Sequence, residues 1–286
     1  PTRRSSDLTK YNKPDSSRIV FKTLDSDSPV RVRAILASPG LWRTLPEEVS
    51  AWLRAQKLKS RLPQPGELLV ETFPRGGRFY LIAYPFEGRL AHQTLGMLLT
   101  RRLDRAGLKP LGFVATDYSL AIWGLDDMGA AFKKGKPSLS EIFDEDMLGD
   151  DLEAWLAESY ILKRSFKACA QISGLVEKNH IEAQKSGRQV TVSTDLIYDV
   201  LRQHEPDHIL LEAAWADAAE TLLDLKRLSD MLSRIGGHIV HKRLERVSPL
   251  AVPIVLEAIG SVPIAGEADE DVLRAATDDV LRAAMR

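Results

Sequence analysis

Apolar side chains recur with helical spacing between residues 30 and 59: Val32, Ile35 and Leu36 before Pro39, then Val49, Trp52 and Leu53 after Leu45-Pro46-Glu47-Glu48. Positions three and four apart share one face of a helix, so this segment predicts two helices. Leu62-Pro63-Gln64-Pro65-Gly66 breaks the pattern, and beyond it the period changes. Leu68–Phe73 and Phe79–Tyr84 are β-rich runs joined by Pro74-Arg75-Gly76-Gly77-Arg78. Two adjacent glycines tolerate the positive φ of a tight hairpin turn. A helical stripe then runs from Arg89 to Arg105, closed by Gly107 and Pro110, and Leu111–Val114 with Ser119–Trp123 predict another strand pair. The order β-β-α-β-β implies an α+β fold, a small mixed or antiparallel sheet with packed helices rather than a βαβ array.

The remainder reads as mostly helical. Asp150 and Asp151 open a helix expected to end with Lys163, Arg164 and Lys167, charges that suit its dipole. Ser193 or Thr194 can cap a helix bearing Leu196, Ile197, Val200 and Leu201. Leu225, Leu228, Met231, Leu232 and Ile235 stripe a third, stopped by Gly236-Gly237, and a strand is expected within His238–Val247. The last twenty or so residues read as an acidic, Ala-rich helix. The expected organisation is a disordered or non-native segment over 1–29, a helical connector over 30–62, a main domain over 63–264 and the acidic helix over 265–286.

With 44% hydrophobic residues in 286, the chain can bury one sizeable core or two smaller ones. Its formal net charge of −1 names no partner, but the charges are unevenly placed. Ala51–Pro110 holds eleven Lys or Arg against four acids, whereas Glu141–Tyr160 holds eight acids and no base. Such a chain can meet a polyanion through one surface while the rest stays neutral or acidic; two ordinary solvated faces would look the same. The single cysteine, Cys169, forms no internal disulfide and fits a reducing cytoplasm. No apolar run is long enough to span a bilayer, and no secretion signal opens the chain.

Candidate chemistry is sparse. No G-x-x-x-x-G-K-[ST] occurs, so P-loop hydrolysis of ATP is not expected of this chain alone, and no spaced cysteine pairs suggest zinc. His204-Glu205-Pro206-Asp207-His208 matches H-E-x-x-H. That chemistry needs both histidines on one face of a continuous helix, however, and Pro206 interrupts any helix there. The expectation is one helix ending near His204 and a second starting with Pro206 in its first turn, with no metal. Arg75 and Arg78 stand at a hairpin tip, where guanidinium groups can grip phosphate. Along the next helix, Arg101 and Arg105 share a face beside Arg102, and Arg89, Gln93 and Thr94 lie near its start. His92 aligns with Leu95, Leu99 and Leu103 and reads as a satisfied, half-buried histidine. Most of the five tryptophans read as core or interface residues, Trp155 among them.

Longer strings carry a resemblance. They are Leu68–Arg78, Tyr84–Arg102 (Tyr-Pro-Phe-Glu-Gly-Arg-Leu-Ala-His-Gln-Thr-Leu-Gly-Met-Leu-Leu-Thr-Arg-Arg), Leu111–Tyr118, Asp146–Leu152, Gly187–Leu201 and His204–His208. From about Val30 to the end, the chain resembles the C-terminal region of bacterial ligase-associated DNA-damage-response DEXH-box helicases, kin of the large-helicase-related (Lhr) group of superfamily 2. Residues 1–29 depart from that pattern. The resemblance implies the non-motor end of an ATP-dependent 3′-to-5′ translocase, with two RecA-like motor domains and most of a winged helix lying outside this sequence. It implies ATP and Mg²⁺ at those motor domains and none here. It also implies a domain that closes a channel around single-stranded DNA. The charge pattern, not the resemblance, names the phosphate contacts expected there: Arg75, Arg78, Arg89, Arg101, Arg102 and Arg105, with Gln93 and Thr94 as weaker candidates. The implied partners are single-stranded DNA, the motor domains, an ATP-dependent DNA ligase and a nuclease; the implied place is the bacterial cytoplasm, near the nucleoid. The other reading is a protein-interaction module whose acidic segments dock the motor domains or a ligase.

Overall fold

The computed structural model describes residues 29–158, 160–176, 179–180, 183–184, 187–219, 223–260 and 277–284. Of the segment 1–29 expected to be disordered or non-native, all but Pro29 lies outside that range, as does most of the acidic tail. The chain divides into two compact units, one from 1–143 together with 234–286 and one from 144–233.

In the first unit, α1 (Pro29–Ala37) leads through a 3₁₀ turn (Pro39–Thr44) into α2 (Glu47–Lys59). Glu47 and Glu48 in the first turn of α2, and Lys57 and Lys59 in the last, oppose the helix dipole. Strands β1 (Leu68–Arg75) and β2 (Arg78–Ala83) pair in register Arg75↔Arg78, closed by Gly76 and Gly77 at φ 55° and 71°. The turn is therefore shorter than expected. Pro74 lies within β1, beyond the last residue that meets β7, where its missing N–H breaks no ladder bond to that strand. Then follow α3 (Arg89–Arg105), β3 (Pro110–Ala115), β4 (Leu120–Gly124), α4 (Met128–Lys133) and α5 (Leu139–Ile142).

The second unit holds α6 (Asp150–Glu158), α7 (Ile161–Ile172), two-residue strands β5 (Asn179–His180) and β6 (Ala183–Gln184), α8 (Gly187–His204), α9 (Ile209–Asp217) and most of α10 (Leu225–Ile235). The single helix expected from Asp150 to Lys167 is thus two, and α8 begins six residues before its expected cap Ser193. Phe166 and Tyr198 meet edge to face, 5.4 Å between centroids, in a core with Ala170, Val176 and Ala214. Of the eight acids in 141–160, several serve local structure. Glu141 completes a capping box with Ser138, Asp144 accepts from the Asp146 amide, and Asp150, Asp151 and Glu153 occupy the first turn of α6.

The chain returns to the first unit through β7 (Ile239–Arg243), α11 (Val252–Gly260) and helix α12 (277–284). The sheet runs β3-β4-β2-β1-β7, antiparallel except for β7, which lies parallel to β1 with Leu68 opposite Ile239. This confirms an α+β fold with a mixed sheet. Alternation divides the strands between two buried faces. Leu69, Phe73, Tyr80, Ile82, Ala121 and Trp123 join a core with residues of α1, α2, α11 and α12. Leu68, Val70, Leu81, Leu120 and Ile122 are buried on the other alternation, with α3 packed on β3 and β4. Gly96 permits that approach, since a Cβ there would lie 2.5 Å from Phe113 Cδ2 and 3.0 Å from Leu120 Cδ1. Residues on either side of Leu62–Gly66 therefore share one core.

Within it lies a buried carboxylate, Glu71. It accepts from Gln56 Nε2 at 2.9 Å, Tyr84 OH at 2.8 Å, and the hydroxyls of Ser60 and Ser248, while Gln56 Oε1 accepts the Leu250 amide at 3.0 Å. Burial pushes the Glu71 carboxyl above its ordinary range, and the four donors oppose that push. Among the described residues, no helix is long and apolar enough to cross a membrane.

Candidate nucleic-acid interface

Helix α3 carries most of the expected contacts, and its entry is tightly fixed. Phe86 and Gly88 adopt positive φ, 59° and 92°. Gly88 has no side chain to cap the helix, so Asp117 from the β3–β4 turn accepts the Arg89 amide at 3.0 Å instead. His92 holds the same junction. Its Nδ1–H donates to the Thr116 carbonyl at 2.6 Å and its Nε2 accepts the Glu87 amide at 3.0 Å, the neutral tautomer. The ring is 1% exposed rather than half-buried. Desolvation lowers its pKa to about 4, outweighing the Thr116 carbonyl and the charge of Asp117.

At the start of α3, Arg89 and Gln93 stand one turn apart on an exposed face. With Met97, Phe113, Val114, Ala115 and Glu257 they line a groove of about 410 Å³. Phe113, Val114 and Ala115 belong to β3, at the edge of the sheet. The Arg89 guanidinium lies 3.6 Å from Glu257 of α11, both half-exposed. Thr94 does not reach this surface. It is fully buried, with its hydroxyl donating to the Leu90 carbonyl at 3.4 Å, and is withdrawn as a contact.

Sixteen rises of about 1.5 Å separate Arg89 from Arg105, so the two ends of α3 are roughly 24 Å apart and form distinct patches. At the far end, Arg105 is exposed and Arg101 half-buried. Arg102 is committed elsewhere. Its Nη1 donates to the Glu141 carbonyl at 2.7 Å and to Ile142 O at 3.5 Å, capping the end of α5. A third patch is the hairpin tip. There Arg75 is ion-paired with Asp279 at 2.9 Å and Arg78 is half-buried.

The sequence between residues 62 and 251 matches the family described as DEAD/H associated. The chain belongs to this family. The DEAD/H associated chain is 22% identical over 216 residues to the ATP-dependent helicase Lhr-Core protein 2 of Thermococcus barophilus, a match covering 74% of this chain and 24% of the relative. Its fold is similar to that of the Mycobacterium smegmatis helicase Lhr, solved bound to ssDNA and AMP-PNP, with a TM-score of 0.55, 20% identity, 83% of this chain covered and 30% of that one. The chain therefore covers 24% and 30% of these two proteins, and it is a DEAD/H associated domain similar to part of each.

Sequence reasoning passed over Met97, Phe113, Glu257, Arg246 and Arg282, which line concavities beside the expected arginines. Each lies on a different element from the arginine it joins, or on the apolar stripe of α3, so spacing gave no signal. The H-E-x-x-H string is split as its proline requires. Helix α8 ends at His204, Pro206 and Asp207 form a turn, and His208 caps α9 by accepting the Leu210 amide on Nδ1 at 3.2 Å. Pro206 thus precedes the second helix rather than lying in its first turn. Cys169 is half-buried, and burial pushes its thiol pKa up. Trp155 is half-buried between buried Leu152 and Leu156, while Trp215 is 44% exposed on α9.

Proposed function

We propose that this domain is the accessory part of an ATP-dependent 3′-to-5′ DNA helicase or translocase acting in DNA repair, and that its first unit contributes single-stranded DNA binding. The observation that carries the reading is the groove between α3 and the edge strand β3. It sets a guanidinium, Arg89, and a side-chain amide, Gln93, over a floor containing Phe113 and Met97. Cations hold phosphates, amides meet base edges, and aromatic or apolar faces receive unstacked bases. Arg101 and Arg105 at the far end of α3, and Arg75 and Arg78 at the hairpin tip, add separate cationic patches on the same unit. The Mycobacterium relative bound to ssDNA and AMP-PNP supports the assignment. ATP and Mg²⁺ belong to motor domains elsewhere in the full protein, and a ligase and nuclease are the proposed repair partners in a bacterial cytoplasm.

The test is titration of the purified chain with a labelled oligothymidylate across a range of salt concentrations. Affinity should fall steeply as salt rises, because each phosphate contact releases counterions. Arg101→Glu with Arg105→Glu should weaken binding at least tenfold. Salt-independent binding, or none at low salt, refutes the reading. A second reading is favoured by the second unit, where Leu196, Val200, Ile209 and Trp215 are exposed. Apolar side chains of that size suit a protein partner such as the motor domains or a ligase. Under it, the charge reversals leave oligothymidylate binding unchanged.

A further inference from the structure

A second concavity, of about 330 Å³, lies beside the tip of the β1–β2 hairpin. Arg75, Arg246 and Arg282 line it together with Glu245 and Asp279. Lys59 adds a fourth cation nearby, its ammonium donating to the Ala284 carbonyl at the end of α12. Burial, and after it the Arg246 guanidinium, push the Lys59 ammonium below its usual range, so Lys59 feels the charge of Arg246. Three guanidinium groups thus share the lining with two carboxylates, and Lys59 stands next to it.

The Arg75–Asp279 pair is unequal. The Arg75 side chain is only 18% exposed, whereas that of Asp279 is 72% exposed. The arginine is fixed at the wall, and the acid reaches it from solvent. A carboxylate oxygen held 2.9 Å from a guanidinium nitrogen occupies the place a phosphate oxygen takes on the same group. Helix α12 has a second hold on the unit, since Val280 and Ala284 are fully buried in the core.

We propose that this cleft is a phosphodiester-binding site for single-stranded nucleic acid, in which Asp279 stands in for a backbone phosphate until a strand displaces it. The inference rests on the nucleic-acid reading above and adds to it a site and an internal competitor. A pair whose acid partner stands in solvent is a weak competitor, so its removal has a modest effect.

The test is oligothymidylate binding by the full chain and by Asp279→Asn, Asp279→Glu and Asp278→Asn. Asp278 is exposed on the same helix and does not line the cleft, so its substitution makes the same change in net charge elsewhere. Asp279→Asn should bind about two- to fivefold tighter. Its plot of log affinity against log salt should steepen, because a carboxylate that competes with phosphate oxygens in the cleft is gone. Asp279→Glu, which keeps the charge, should return both values to those of the parent. Equal behaviour of Asp279→Asn and Asp278→Asn, with the parent chain binding, overturns this inference alone. Failure of the parent and every variant to bind overturns it together with the reading on which it rests.

Discussion

Acidification offers a sharp test of the junction that sets up α3. His92 is neutral in the folded chain and its pKa falls from 6.5 to about 4. In the unfolded chain the ring protonates near its ordinary value, so between these pH values the unfolded state binds the extra proton. Stability from this residue is therefore complete above pH 6.5 and is lost as pH falls towards 4. One proton costs about 1.4 kcal/mol per pH unit, so the window amounts to roughly 3 kcal/mol. The assay is urea unfolding at steps between about pH 7 and about pH 4, followed by the fluorescence of the tryptophans, of which Trp42, Trp52 and Trp123 are buried in the first unit. His92→Gln is the partner experiment. A glutamine amide can donate to Thr116 O and accept from the Glu87 amide, but it does not titrate. The variant should be less stable at neutral pH, and its deficit should shrink or reverse as pH falls. Parallel curves for parent and variant would show that His92 does not carry the pH dependence and would refute the buried neutral assignment.

Gly96→Ala should lose about 1–3 kcal/mol in the same assay despite the better helix propensity of alanine, because its Cβ would meet the Phe113 ring at 2.5 Å. Glu71→Gln should lose a similar amount, about 1–3 kcal/mol, since an NH₂ group then faces donors where an acceptor stood. Arg102→Ala should lower stability by about 1 kcal/mol through its cap on α5, while changing oligothymidylate affinity far less than the double reversal of Arg101 and Arg105. An affinity loss for Arg102→Ala matching that of the double reversal would assign Arg102 to the nucleic acid instead.

Much of the first unit was legible in the sequence because its signals are local. The hairpin follows from two β-rich runs around Gly76-Gly77, and α3 from its stripe bounded by Gly88 and Gly107. Three features were not legible, each because its partner is distant or is backbone. The pairing of β7 with β1 joins residues about 170 apart, and a strand's own pattern does not name its neighbour. Arg102 looked like any surface arginine, since its acceptors are carbonyls 39 and 40 residues away. Thr94 looked polar and available, yet a threonine inside a helix can satisfy its hydroxyl on the preceding turn and turn inward. The candidate interface was accordingly half visible. Its arginines stood out as charge, while the groove floor at Phe113 and Met97 was hidden among ordinary core positions.

The parallel strand β7 has a consequence for how the molecule is made. Leu68–Thr72 must wait for Ile239–Arg243, and the Glu71 cluster must wait for Ser248. During synthesis from the N-terminus, the outer side of β1 therefore stands without its neighbour, and a carboxylate lacks one of its donors, while the whole of residues 144–233 is translated. An unmatched strand border of this kind attracts other chains, and contacts so far apart in sequence form slowly. A ribosome-bound product ending before residue 239 should accordingly be prone to association, and extension through residue 248 should relieve it.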